Sequence, residues 1–150
     1  MPQSLSNVLL HIVFSTKNRL SLIDEAIEPE LYAYLTTIFA SWGSFVHKIG
    51  GAEDHTHIFC TLPRTISVSN LIEEIKKNSS KWIKTKGQKY QNFFWQSGFG
   101  VWSVSASQND ALVTYIENQK EHHKKQTFQD EFRQFLRLNK IPYDEKYVWD

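Results

Sequence analysis

Cysteine and glycine are scarce in this chain of 150 residues, and each scarcity excludes a class of protein. Cys60 is the single cysteine, so no disulfide can form within the chain and a reducing, cytoplasmic setting is expected. There are six glycines and no Gly-rich phosphate loop, so no nucleotide cofactor is expected. The longest apolar run, residues 8–14, is interrupted by His11 and is far too short to cross a membrane. The first residues also lack the basic, apolar and small-residue order of a secretory signal.

What is present indicates one globular domain with an uneven distribution of charge. A hydrophobic content of 41% and a length of 150 residues predict a single domain over 1–150. The net charge is +1, but residues 24–54 carry six acids and one base, whereas residues 64–89 carry seven bases and two acids. This basic block predicts a phosphate-binding surface, although lysines along a helix commonly do no more than face solvent. Its members are Arg64, Lys76, Lys77, Lys81, Lys84, Lys86 and Lys89.

The apolar periodicity predicts an α+β fold with the element order β-α-β-β-α-β-α-α. Strands are expected at 8–14, 45–49, 54–62 and 95–106, and helices at about 29–42, from Ser67 or Ser69, from 107 to about 123, and around 128–136. Ser107 and Asp110 resemble a capping box at the start of the third helix. A turn at Gly50-Gly51 favours an antiparallel sheet with helices covering one face.

Two short spacings, sixty residues apart, point to chemistry. His55 and His57 alternate with Thr56 in a predicted strand, so both project from one face and can share a divalent ion. Tyr115 and Gln119 stand at i and i+4 of a predicted helix, so they also share a face. If the helix packs across the strand, a phenol lies beside a metal site. Such a site suits cleavage of a phosphodiester bond by covalent catalysis.

Other interpretations of the same residues stay open at this point. Glu53 shares the strand face of the two histidines, and a carboxylate binds magnesium better than an amide does. An unrelated metalloenzyme, such as an iron-dependent oxygenase, could use Glu53, His55 and His57 and would give Tyr115 no role. His122 stands seven residues after Tyr115 and could assist, but a solvated helix end is the expected place for both His122 and His123.

Several segments in the same order resemble the single-tyrosine HUH transposases of insertion sequences, a family that includes the repeat-associated tyrosine transposases. The resemblance runs through nearly the whole chain. Its segments are HIVFSTKNR at 11–19, DHTH at 54–57, FWQ at 94–96, YIENQ at 115–119, the histidines at 122–123 and DEKYVW at 144–149.

The resemblance implies a ferredoxin-like sheet and a homodimer whose active sites are shared, with Tyr115 of one subunit serving the histidine pair of the other. It implies single-stranded DNA with imperfect hairpins as the substrate and a 5′-phosphotyrosine intermediate made by Tyr115. It also implies Mg²⁺ or Mn²⁺ bound by His55, His57 and Gln119. The protein would be cytoplasmic, and nucleoid-associated when bound to DNA. The expected DNA-binding residues are Lys17, Arg19, Arg64, Lys76, Lys77, Lys81 and Lys84.

One departure and one alternative accompany the resemblance. The family's histidine pair normally encloses a bulky apolar residue, but Thr56 stands there in this chain, and its hydroxyl needs a partner if it is buried. The alternative is a domesticated relative that grips hairpin DNA without cutting it. The intact set of His55, His57, Tyr115 and Gln119 argues against that alternative.

Overall fold

The structure, a computed structural model, describes residues 2–150 and contains one four-stranded antiparallel sheet. The strands are β1 (Leu9–Ser15), β2 (Val46–Ala52), β3 (His55–Thr61) and β4 (Gly100–Val104), in the spatial order β2-β3-β1-β4. Two β-α-β units whose strands interleave in this order form a ferredoxin-like sheet. The predicted α+β class and antiparallel sheet are confirmed.

Five α-helices cover the sheet on both faces, whereas the sequence predicted helices on one. They are α1 (Glu28–Ser41), α2 (Val68–Lys84), α3 (Asn109–Glu117), α4 (Gln119–His122) and α5 (Phe128–Leu138). The even-numbered residues of β1, such as Ile12 and Phe14, pack with α1 and α2. The odd-numbered Leu9 packs with α3 and Val13 with α5. All seven residues of β1 are buried, which explains its continuous apolar run.

Two glycines expected to form a turn lie inside β2 instead. The turn to β3 falls at residues 53–54, and Gly50 and Gly51 pair with His57 and Thr56 of β3. A Cβ on Gly50 would stand 2.5 Å from the carbonyl oxygen of Ile116. Glycine is therefore required at position 50 because the backbone of α3 approaches β2 closely.

The start and continuity of the third predicted helix also differ from expectation. Ser107 makes no capping bond, since its hydroxyl pairs with that of Ser105 and a 3₁₀ turn at 106–108 precedes α3. The helix is interrupted at Asn118, which separates α3 from α4. Ser67 does cap α2, because its hydroxyl accepts from the Asn70 N–H at 3.1 Å. The fourth strand is shorter than predicted, and Trp95 forms only an isolated bridge with Thr16.

No helix among residues 2–150 combines the length and the apolar character that crossing a membrane requires.

Candidate active site

The two histidines of β3 point at the sheet face covered by α3, α4 and α5. Both His55 and His57 are fully buried, and their rings lie 5.1 Å apart between centroids. His55 Nε2 is 2.9 Å from Oε1 of Gln119, and His57 Nε2 is 2.9 Å from Oε1 of Glu131. The strand alternation therefore brings both Nε2 atoms to one centre.

Tyr115 and Gln119 reach the same centre although a helix break separates them. The hydroxyl of Tyr115 donates to Oε2 of Glu131, and the Gln119 amide donates to that oxygen at 3.0 Å. Both residues belong to the chain that carries the histidine pair. One chain thus assembles the whole group, and the trans arrangement implied by the resemblance is not needed to bring these residues together.

Glu131 lies in the middle of the group, although it is not among the site residues predicted from the sequence. It comes from α5 and is 1% exposed. It stands three residues after Phe128 and one before Phe132, on the apolar stripe that faces the sheet. A carboxylate on a buried helical stripe is the signal that could have found it, since an unpaired buried charge is costly.

His123 was expected at a solvated helix end, and that expectation is wrong. Its Nε2 lies 3.0 Å from Oε1 of Gln119 and 3.2 Å from Oε1 of Glu131, and its ring is 4.3 Å from that of His55. His122 instead packs its ring on Tyr115, with 4.7 Å between centroids. Glu53, the rival ligand, is exposed and is not a member of the buried group.

Nitrogen and oxygen atoms that can bind a metal converge here. One such atom from each of His55, His57, His123 and Glu131 lies within 4.8 Å of all the others. The side-chain oxygen Oε1 of Gln119 adds a fifth atom that can bind a metal. Imidazole, carboxylate and amide groups are all established ligands of divalent metals, so the group fits such an ion.

The pKa shifts favour a cation at His57 and Glu131 and oppose one at His123. Burial by itself would lower the pKa of His123, but the hydrogen bond and charge of Glu131 outweigh it and raise that pKa. Burial lowers the pKa of His57 to about 4, although Glu131 opposes that shift. Burial by itself would raise the pKa of Glu131, but hydrogen bonds from His123 and His57 hold it far below its usual range. Burial raises the pKa of Tyr115, and the charge of Glu131 raises it further. At neutral pH the site therefore holds a neutral His57, an ionised carboxylate and a protonated phenol.

A second layer of side chains orients the two strand histidines. Nδ1 of His55 lies 2.7 Å from a carboxylate oxygen of Asp54, and Nδ1 of His57 lies 2.8 Å from Nε2 of His11. Because a carboxylate only accepts, Asp54 fixes a hydrogen on Nδ1 of His55. The Nε2 lone pair of His55 therefore faces the centre. Nε2 of His57 donates to Glu131, so its hydrogen would have to move to Nδ1, with His11 accepting, for His57 to bind a cation.

The predicted DNA-binding residues fall into two groups. Lys76 Nζ donates to the carbonyl oxygens of Gln96, Ser97 and Gly98, and its burial lowers its pKa to about 8. Lys84 donates to a carbonyl at 2.7 Å, and Arg19 donates to another at 3.1 Å. These three side chains hold loops of the protein. The exposed members are Lys17, Arg64, Lys77 and Lys81.

Fold and site together combine a histidine pair on a ferredoxin-like sheet with a tyrosine from a covering helix. The sequence model of the IS200-like transposases matches residues 4–119. Since this match covers most of the chain, the chain belongs to the IS200-like transposase family. A comparison with the curated proteins found no match.

Solved structures share the fold. A protein of Deinococcus radiodurans R1 described as a transposase is 18% identical, with a TM-score of 0.61 over 79% of this chain and 98% of that one. A REP-associated tyrosine transposase bound to a REP hairpin is also 18% identical, with a TM-score of 0.61 over 82% of this chain and 72% of that one. The segment matched by the family ends at Gln119, so α5 and Glu131 lie beyond it.

Proposed function

We propose that this protein cleaves and rejoins single-stranded DNA at hairpin-bearing ends of a mobile element, through a 5′-phosphotyrosine on Tyr115. The observation that carries the proposal is the meeting of Tyr115 with the His55–His57 pair in a buried, metal-compatible group within a transposase chain. The similar structure of a tyrosine transposase bound to a REP hairpin supports hairpin DNA as the substrate.

The proposed reaction exchanges one phosphoester for another. The Tyr115 oxygen forms a bond to phosphorus, the bond from phosphorus to the 3′ oxygen breaks, and the phenolic proton ends on the released 3′-hydroxyl. A second 3′-hydroxyl can reverse the step, join a new strand and return the proton to Tyr115. The phosphotyrosine conserves the energy of the broken phosphodiester bond, so rejoining needs no nucleoside triphosphate.

Protein side chains prepare this exchange. His55, His57 and Gln119 are the proposed ligands of Mg²⁺ or Mn²⁺, which when bound would offset negative charge on the reacting phosphate. Asp54 and His11 hold the two imidazoles in place from behind. Tyr115 is half-buried, and its raised pKa leaves it protonated until the substrate arrives.

The DNA-gripping surface proposed from the basic block is centred on its exposed lysines. Lys77 and Lys81 lie on the solvent side of α2, whereas Lys76 and Lys84 are engaged with carbonyl groups. Lys17 and Arg64 are the other exposed candidates. A homodimer is also proposed from the family resemblance, and sedimentation of the purified protein tests it.

Covalent capture tests the function. Labelled single strands carrying a hairpin are incubated with the protein and Mg²⁺ or Mn²⁺, and denaturing gels detect a protein–DNA adduct. We expect an adduct from wild type, none from Tyr115→Phe, and a normal yield from Tyr147→Phe, which removes a hydroxyl from an exposed tyrosine. An adduct with Tyr115→Phe would refute the assignment. Tight hairpin binding by wild type without any adduct would favour a domesticated binding protein.

A further inference from the structure

Helix α5 carries a carboxylate into the site from outside the segment matched by the family. Its apolar face, including Phe128, Phe132 and Leu136, packs with Val13 of β1 and Trp102 of β4. Its first turn is capped by Thr127, whose hydroxyl accepts from the N–H of residue 130 at 3.1 Å. This packing fixes the helix against the sheet, and the position of Glu131 is fixed with it.

The two oxygens of Glu131 face different partners. Oε1 lies 2.9 Å from Nε2 of His57 and 3.2 Å from Nε2 of His123. Oε2 accepts from the amide of Gln119 at 3.0 Å and from the hydroxyl of Tyr115. The carboxylate therefore contacts the proposed ligand His57 through Oε1, and the proposed ligand Gln119 and the proposed nucleophile Tyr115 through Oε2.

No lysine or arginine among residues 2–150 forms an ion pair with Glu131; its ion-pair partners are all histidines. Its other contacts are the neutral groups of Tyr115 and Gln119. A carboxylate that is 1% exposed is costly to bury unless positive charge lies nearby. Glu131 raises the pKa of His123 against the effect of burial, so a protonated His123 offsets part of this cost when no cation is bound. A divalent cation among the neighbouring nitrogen and oxygen atoms would supply that charge.

We infer that Glu131 is a direct ligand of the divalent cation through Oε1 and a positioning group for the Tyr115 hydroxyl through Oε2. This inference rests on the proposed function and adds an acidic ligand to the set of His55, His57 and Gln119. The consequence is that α5 completes the active site in this chain, on the same polypeptide as the nucleophile.

Metal binding without DNA tests the ligand role. Binding of Mn²⁺ to the purified protein is followed by electron paramagnetic resonance or calorimetry. Glu131→Gln keeps the shape and loses the charge, and we expect its Mn²⁺ affinity to fall by about tenfold or more. Asp130→Asn is the matched control, since it removes a carboxylate from the adjacent exposed position of α5 and should leave the affinity unchanged. Circular dichroism verifies that both variants fold.

A second variant covers the case in which Glu131→Gln does not fold. Glu131→Asp keeps the charge and withdraws both oxygens by one methylene, so weaker Mn²⁺ binding is expected from it as well. Wild-type Mn²⁺ affinity in a folded variant at position 131 would overturn the inference. A larger yield of DNA adduct from Glu131→Gln than from wild type would also overturn it, since the carboxylate would then block the site.

The outcomes separate this inference from the proposed function. Tyr115→Phe should lose the DNA adduct but retain Mn²⁺ affinity, because its hydroxyl contacts Glu131 and is not one of the inferred ligands. Unchanged affinity in Glu131→Gln removes the inference and leaves the function intact. Lost affinity in Glu131→Gln, combined with no adduct from wild type, supports the ligand and refutes the function.

Discussion

Replacing Thr56 with valine is expected to stabilise the protein. Thr56 lies between the two site histidines but points to the opposite face of the sheet, where Ile58 and Cys60 of the same strand join the core with α1 and α2. It is fully buried, and its hydroxyl has no hydrogen-bond partner among residues 2–150. A buried hydroxyl at this position needs a partner, and the described part of the fold provides none.

The size of the effect follows from the lost solvation of that hydroxyl. A buried polar group left without a partner costs about 1–3 kcal/mol, and valine replaces it with a methyl of similar shape. We therefore expect the free energy of unfolding to rise by about 1–2 kcal/mol. An unfolding entropy of ~2.1 cal/mol/K per residue gives roughly 0.3 kcal/mol/K for a chain of this length, so Tm should rise by about 3–6 °C.

Thermal and urea unfolding followed by circular dichroism measure the change. Thr16→Val is the matched control, because Thr16 is equally buried but its hydroxyl donates to the carbonyl of Leu20 at 2.6 Å. That substitution should lower the free energy of unfolding by about 1–2 kcal/mol. A loss of stability in Thr56→Val would refute the reasoning.

Three further changes have expected outcomes. Gly50→Ala should push α3 away from β2 and slow the formation of the DNA adduct. The rate is measured on denaturing gels and divided by the folded fraction of the variant, which circular dichroism gives. Replacing Lys77 and Lys81 with Ala should flatten the log–log salt dependence of single-strand binding by about 1.4, or ~0.7 for each lost phosphate contact; an unchanged slope would place the grip elsewhere. Burial lowers the pKa of His11 to about 3 and of His57 to about 4, both from 6.5. Below pH 6.5 the unfolded state therefore binds more protons at these two histidines than the folded state does. Urea unfolding in the presence of chelator should show a free energy of unfolding that falls from pH 6.5 towards pH 4, by up to ~1.4 kcal/mol per pH unit for each histidine. A constant free energy of unfolding over this range would contradict the prediction.

The element order and the two functional spacings follow from local periodicity. Strand alternation predicts the common face of His55 and His57, and helical spacing predicts that of Tyr115 and Gln119, which survives the break at Asn118. These patterns depend on residues close in sequence, where backbone geometry alone decides which side chains face together.

Features that depend on tertiary packing could not be predicted in the same way. Glu131 contacts residues of β3 more than seventy positions away, and only the docking of α5 brings it there. The same docking covers the second face of the sheet and draws His123 into the site. Lys76 resembled a solvated helix lysine because nothing local reveals the three carbonyl groups that surround it.

The close approach of α3 to Gly50 determines how the nucleophile is held above the sheet. Where side chains separate a helix from a sheet, the spacing changes with every rotamer and every substitution in the layer between them. Here the peptide carbonyl of Ile116 lies against the strand, and a peptide group has the same shape whatever the side chain or its rotamer. The height of Tyr115 above the histidine pair is thus set partly by this main-chain contact and partly by the Ile116 side chain, which packs on Leu9 and Phe59, and both need a residue without a Cβ at position 50.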